Sequence, residues 1–349
     1  MPFIHKSYFI YKKHSYMGVI KMNEYIKETI KNIKSMLPED YAVSSTTTIK
    51  NNGKELAGIL INNGNIISPV IYINEYYEKQ IPAEEAARKI YEAYVSSKEK
   101  ELPFSLETLT DYNKVKNLVN FKLINSELNA KLLADVPYDL VCDDLACVYY
   151  LSLEPNATIT IHNNLFNQWN IPKEELFKDA LQNSLKWDIS IKTLTDTMLE
   201  TVDINSFRLQ YGETEMTDEE FAEVFREFLE HDESIPVYVL SSSSNFGASA
   251  LLRPDILEDI KNRLDSSFII LPSSLYEVLI VPMPSEKDIV EGKSDISIPY
   301  LRSMVKEVNG STVDIEDQLS DNIYYCNGRA IHIIDTDIIQ DLRRYDEAR

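Results

Sequence analysis

A chain of 349 residues, 44% hydrophobic and 26% charged, can bury roughly three quarters of its unfolded surface and needs no metal or disulfide staple. Its formal net charge of -21 is spread along the chain and repels phosphate backbones and anionic lipid, which argues against nucleic-acid and membrane-surface partners. No apolar run approaches the roughly 18 residues of a membrane span, and Cys142, Cys147 and Cys326 are too unevenly placed for a disulfide framework, so free thiols in a reducing, cytoplasmic compartment are expected.

The first 23 residues hold four lysines and no acid. They lack the continuous apolar core and the small-residue cleavage site of a signal peptide. Residues 1–21 are therefore expected to be a non-structural extension, with translation starting at Met17 or Met22; a basic surface arm is the alternative. From Glu24, Ile26, Ile30, Ile33 and Leu37 recur at helical spacing until Pro38. Extended segments over 41–50, 55–62 and 66–73 follow, joined by Asn51-Asn52-Gly53 and Asn62-Asn63-Gly64-Asn65, residues that accept positive φ and make hairpins. Ala86, Ala87, Ile90, Tyr91 and Tyr94 stripe a helix over 83–98, opened by Pro82. Ser96 to Glu101 reads as a linker, and short helices are expected beyond it. This predicts an N-terminal α+β lobe over 22–112 and a C-terminal α/β lobe over 113–345.

In the second lobe, Asp139 to Leu153 and Ala157 to His162 read as paired strands. Pro172 is expected at the first position of a helix whose Glu174 and Glu175 suit the dipole. Thr217-Asp218-Glu219-Glu220 fits a capping box before a helix carrying Phe221, Val224, Phe225, Phe228 and Leu229, with an acidic face expected to be solvated. The last third reads as strand Val237 to Ser241, a helix ending near Leu264, strands Phe268 to Leu271 and Glu277 to Val281, and a helix from about Ser297 to Val308. It closes with a hairpin, Ile323 to Cys326 and Ala330 to Ile334, turned by Asn327-Gly328. The expected fold class is α/β (α+β): a helix plus antiparallel meander, then a larger mixed sheet covered by helices.

Several runs resemble those of the DUF5688 family of uncharacterised bacterial proteins from gut Firmicutes. They are Ile66-Ser68-Pro69-Ile71-Tyr72-Asn74, Thr158 to Asn163 with Trp169 and Glu174-Glu175-Leu176, Gly247-Ala248, Leu271-Pro272-Ser273-Ser274 with Glu277-Val278, and Leu319-Ser320-Asp321 with Tyr324-Tyr325. The similarity extends from Met22 to about Ile334 and implies a bacterial cytoplasmic origin. It also implies histidine where this chain has Tyr138 and Tyr276, and cysteine near Ala250. If those residues formed a site in the family, this chain lacks it.

Candidate chemistry is sparse. Cys142 and Cys147 have four residues between them in a segment read as strand, which would put them on opposite faces, and there is no second ligand pair for zinc; no metal and no cofactor are expected. The histidines show none of the close spacings that let two imidazoles share a metal. His231 falls at the end of the acidic helix, and His332 is expected on the surface of its hairpin, on the face opposite Ile331 and Ile333. His162 ends a strand before Asn163 and Asn164, where a turn residue or a functional group would sit. The serine-rich run Ser241 to Ser249, with Ser244, Asn245 and Gly247, follows a strand and leads into a helix, so it suits an anion or oxyanion site as well as a capping loop. It has neither P-loop nor nucleophile-elbow spacing. Ser273, Tyr276 and Glu277 form a second turn that a parallel arrangement would bring to the same sheet edge. A shared concavity formed by Tyr138, His162, the serine run and Tyr276 would mark a site. Two functions follow as expectations: a non-catalytic binding or regulatory protein with an unknown protein or small-molecule ligand, or a hydrolase-like or transferase-like enzyme using Ser249, His162 and Glu277.

Overall fold

The computed structural model describes residues 21–62, 70–98, 106–153, 157–201, 236–272, 274–291 and 296–346, with Thr217 and Glu223. The chain divides between Leu109 and Thr110 into two compact units. Apart from Asn62, Thr217 and Glu223, the expected hairpin at 62–65, the box at 217–220, the acidic helix and Ser273 lie outside the described residues, as do His5, His14 and His231.

The first unit follows from local signals. A helix over residues 21–34 precedes an antiparallel sheet of β1 (Ala42–Ile49), β2 (Glu55–Asn62) and β3 (Val70–Tyr72), in that order. Asn52 (φ 55°) and Gly53 (φ 72°) turn β1 into β2 in the left-handed region that Asn and Gly tolerate best. Ile33 of the first helix, Ile59 and Ile61 of β2, and Ala87 and Ile90 of the helix Ala83–Lys98 share one buried core. Strand alternation and helical spacing both put these residues inward.

The second unit carries two sheets. In the smaller, β6 (Leu145–Leu153) is flanked by β4 (Val119–Asn125) on one side and by β5 (Tyr138–Cys142) and β7 (Ala157–Thr160) on the other. The larger has the order β13-β12-β10-β11-β9-β8, made of β8 (Ile189–Thr193), β9 (Tyr238–Ser242), β10 (Phe268–Leu271), β11 (Glu277–Pro282), β12 (Tyr324–Cys326) and β13 (Ile331–Ile333). All four residues of β10 are buried, as a strand covered on both faces requires. The helix Ile298–Ser311 places Ile298, Leu301 and Val305 against Ile269, Leu271 and Val281.

The fold is thus a mixture of helices and sheets, but every pairing among the described strands is antiparallel. The parallel arrangement entertained for the last third does not occur there. The helix Pro254–Leu264 carries the chain from β9 past one strand position to β10, and β11 returns by a tight turn into the gap. Strand, helix and strand alternate in sequence without adjacent strands becoming parallel. Strands β4 and β8 fall where none is expected; Lys122 in β4 and Lys192 in β8 break the apolar runs that mark a strand. Pro172 caps its helix, Lys173–Ser184, from outside rather than standing first within it.

Candidate functional site

The serine run and the turn before β11 do lie together, through antiparallel register. Ser241 is the direct cross-strand partner of Glu277, so the end of β9 and the start of β11 occupy one sheet edge. Beyond them, the amide of Ala248 donates to the carbonyl of Leu275 at 3.1 Å. Gly247 is pressed so closely on Tyr276 that an added Cβ would stand 2.0 Å from its carbonyl oxygen. The run then continues into a wholly buried 3-10 turn, Gly247–Leu252.

Its hydroxyls are engaged in holding the chain. Ser242 Oγ accepts from the amide of Ser244, Ser243 Oγ from Asp188, and Ser244 Oγ from Phe246. The Tyr150 hydroxyl lies 3.4 Å from Ser244 Oγ, and its ring meets Phe246 edge to face. Ser274 Oγ accepts from the amides of Tyr276 and Glu277. Asn245 is exposed on the run, and the exposed Tyr276 donates its hydroxyl proton to Asp317. Ser249 has no exposed surface and accepts from the amide of Leu123 at 3.0 Å. β4 is an edge strand, and Ser249 together with Asn183, which donates to the carbonyl of Val119, satisfies backbone groups that an edge leaves open.

The other sequence candidates are held by partners of their own. His162 stands before the helix Asn163–Trp169, with Nδ1 2.8 Å from Asp135. Tyr138 opens β5, and its carbonyl accepts from Lys173 Nζ. Among the described residues no hydrogen bond joins any two of Ser249, His162 and Glu277.

A cleft of about 870 Å³ lies elsewhere in the second unit. β5 forms one wall and the β12–β13 hairpin another; Phe177, Leu251 and Leu257 supply apolar surface from the helix Lys173–Ser184, the buried 3-10 turn and the helix Pro254–Leu264. The volume is that of a site for an organic molecule of drug or metabolite size. At one end Lys173 Nζ lies 2.6 Å from Asp139 Oδ1, while Asp139 Oδ2 accepts from the Tyr149 hydroxyl. Burial, then the nearby Cys147 and Asp139, raise the Tyr149 phenol far above its ordinary range, so it remains a donor. At another, His332 stacks on Tyr345 at 5.3 Å, and Tyr345 donates to Ile333 and Asp335. His332 is half-buried, not a surface residue, and its Nε2 is buried without a hydrogen-bond partner among the described residues. Tyr345, which covers it, lies 13 positions further along the chain, beyond the reach of strand alternation.

Cys142 and Cys147 both line this cleft, because a turn at Asp143-Asp144 separates β5 from β6 and the single-strand argument for opposite faces does not apply. Burial raises the Cys142 thiol to about 12 and the Cys147 thiol beyond that, which leaves both protonated and poor nucleophiles. No group of three or more metal-ligating side chains occurs among the described residues.

Behind the wall lies a feature that sequence reading passed over. Asp144 is 3% exposed, and its carboxylate accepts from Ser320 Oγ at 2.6 Å, Asn322 Nδ2 at 2.9 Å and the Tyr324 hydroxyl at 2.9 Å. Cys142 Sγ is 3.7 Å away. Burial and the Asp144 charge hold the Tyr324 phenol far above its ordinary range. Ser320, Asn322 and Tyr324 stand at alternate positions, a spacing legible in the sequence; its target was not.

Among curated proteins and among solved structures no match is found. A family model described as a family of unknown function (DUF5688) matches residues 22–327, which take in both sheets of the second unit except β13. The chain belongs to this family.

Proposed function

We propose that this protein is a non-catalytic small-molecule-binding protein of the bacterial cytoplasm and that the cleft between β5 and the β12–β13 hairpin is its ligand site. The observation that carries the reading is the cleft itself, about 870 Å³ with an apolar floor and charged side chains at its edges. The candidate nucleophiles favour binding over turnover: Ser249 is buried against a backbone amide, and the cleft thiols are held protonated. The compartment reading draws on the three free thiols and on the lack, among the described residues, of any helix long and apolar enough to cross a membrane. A thermal-shift and ligand-observed NMR survey of common metabolites tests the proposal. A compound at a hundred times its Kd should stabilise the fold by about 2.7 kcal/mol, and Ala330→Trp, which fills the cleft from a wall residue, should remove that gain. Binding indifferent to Ala330→Trp, or turnover abolished by Ser249→Ala, would overturn it.

A further inference from the structure

The cleft's charges specify the kind of molecule it takes, an inference that rests on the binding reading above. Of the four carboxylates among its described lining residues, two are already neutralised: Asp139 by Lys173 and Asp335 by Arg344. Lys173 is committed twice over, since Nζ also donates to the carbonyl of Tyr138. Asp143, in the β5–β6 turn, and Glu174, in the first turn of its helix, remain, and neither has an ion pair among the described residues. Both are exposed at the cleft's edge. Against them stands the exposed Arg329 in the β12–β13 turn, so carboxylates stay in excess. The chain's charge of -21 enriches cations and depletes anions around the cleft mouth. Inward of the edge, Phe177, Leu251 and Leu257 offer apolar surface with no charge to satisfy.

We infer that the ligand is an organic cation: an ammonium or guanidinium group met by Asp143 and Glu174 and carried on an apolar body that lies over Phe177, Leu251 and Leu257. Among the described lining residues an anionic ligand would have Arg329 and the imidazole of His332 to meet it, and would face the two carboxylates.

Three probes of one shape decide the matter on the full chain: 4-phenylbutylamine, 4-phenylbutanol and 4-phenylbutyrate, titrated by NMR at low salt. The amine should bind about fivefold to tenfold more tightly than the alcohol, as two partly screened ion pairs would provide, and the butyrate more weakly than either. Raising the salt should erode the amine's advantage. Asp143→Asn with Glu174→Gln should bring the amine down to the alcohol and leave the alcohol unchanged; both sites are exposed, and circular dichroism confirms the fold. Butyrate binding as tightly as the amine, or an amine affinity that survives the double substitution, overturns the charge assignment while leaving the binding site standing. Failure of all three probes to bind overturns the inference as well, and the binding reading falls with it only if the metabolite survey also finds no ligand blocked by Ala330→Trp.

Discussion

Asp144 shows what a single side chain can organise when it is buried with no cationic partner among the described residues. Its carboxylate is held by three neutral donors from a segment some 180 residues away, Ser320, Asn322 and Tyr324. Removing the acceptor strands all three inside the protein, and an unmet buried donor costs about 1–3 kcal/mol. Asp144→Ala is expected to lower the unfolding free energy by about 3 kcal/mol or more in urea titrations. Tyr324→Phe removes one charge-assisted bond and should cost about 1–2 kcal/mol. The thiols make a second prediction. Burial raises Cys142 and Cys326 from an ordinary 9.0 to about 12, so above pH 9 the unfolded chain releases protons that the folded state keeps. Stability therefore stands in full below pH 9 and falls as pH rises toward 12. Melting temperatures between pH 7 and 10.5 should show the decline, and Cys326→Ala should blunt it.

At the scale of elements, the meeting of the β9 and β11 ends depends on one glycine. A side chain at 247 would collide with the backbone of Tyr276 and crowd that of Ser242, and backbone does not yield as a flexible side chain does. Gly247→Ala is expected to destabilise by several kcal/mol or to prevent folding, measured by denaturation of whatever soluble protein forms. Gly328→Ala, where φ is +85° and an added Cβ would stand 2.6 Å from Lys261 Cδ and 2.9 Å from its Cβ, should cost about 1–3 kcal/mol, less than Gly247→Ala because no backbone atom is struck. Ser249→Ala should cost about 1–3 kcal/mol through the orphaned Leu123 amide. What the sequence made legible divides along the same line. The helix Ala83–Lys98, the β1–β2 turn and strand Phe268–Leu271 were readable because short-range spacing and turn residues determine them. β4 and β8 were not, because a lysine within each run hides a strand whose burial comes from distant partners. The candidate site was least legible of all: the cleft's walls come from five separate stretches of chain, and only the bond pattern reveals that Ser249 closes an edge.

For the molecule as a whole, two consequences follow from charge and division. A net charge of -21 on a folded chain repels itself, so the melting temperature should rise between about 10 mM and 150 mM sodium chloride as screening shortens the reach of that repulsion; a flat or falling response in differential scanning calorimetry would contradict this. The two units have separate apolar cores, and a chain beginning at Thr110 should retain cooperative unfolding and the cleft's ligand response. The Asp144 latch also bears on how such a chain can change over generations. Its three donors occupy positions 320, 322 and 324, so the latch is written in the count of residues as much as in their chemistry. One residue gained or lost between Ser320 and Tyr324 would disturb that spacing even with every donor retained. Length variation in descendants of this sequence should therefore collect elsewhere and spare that stretch.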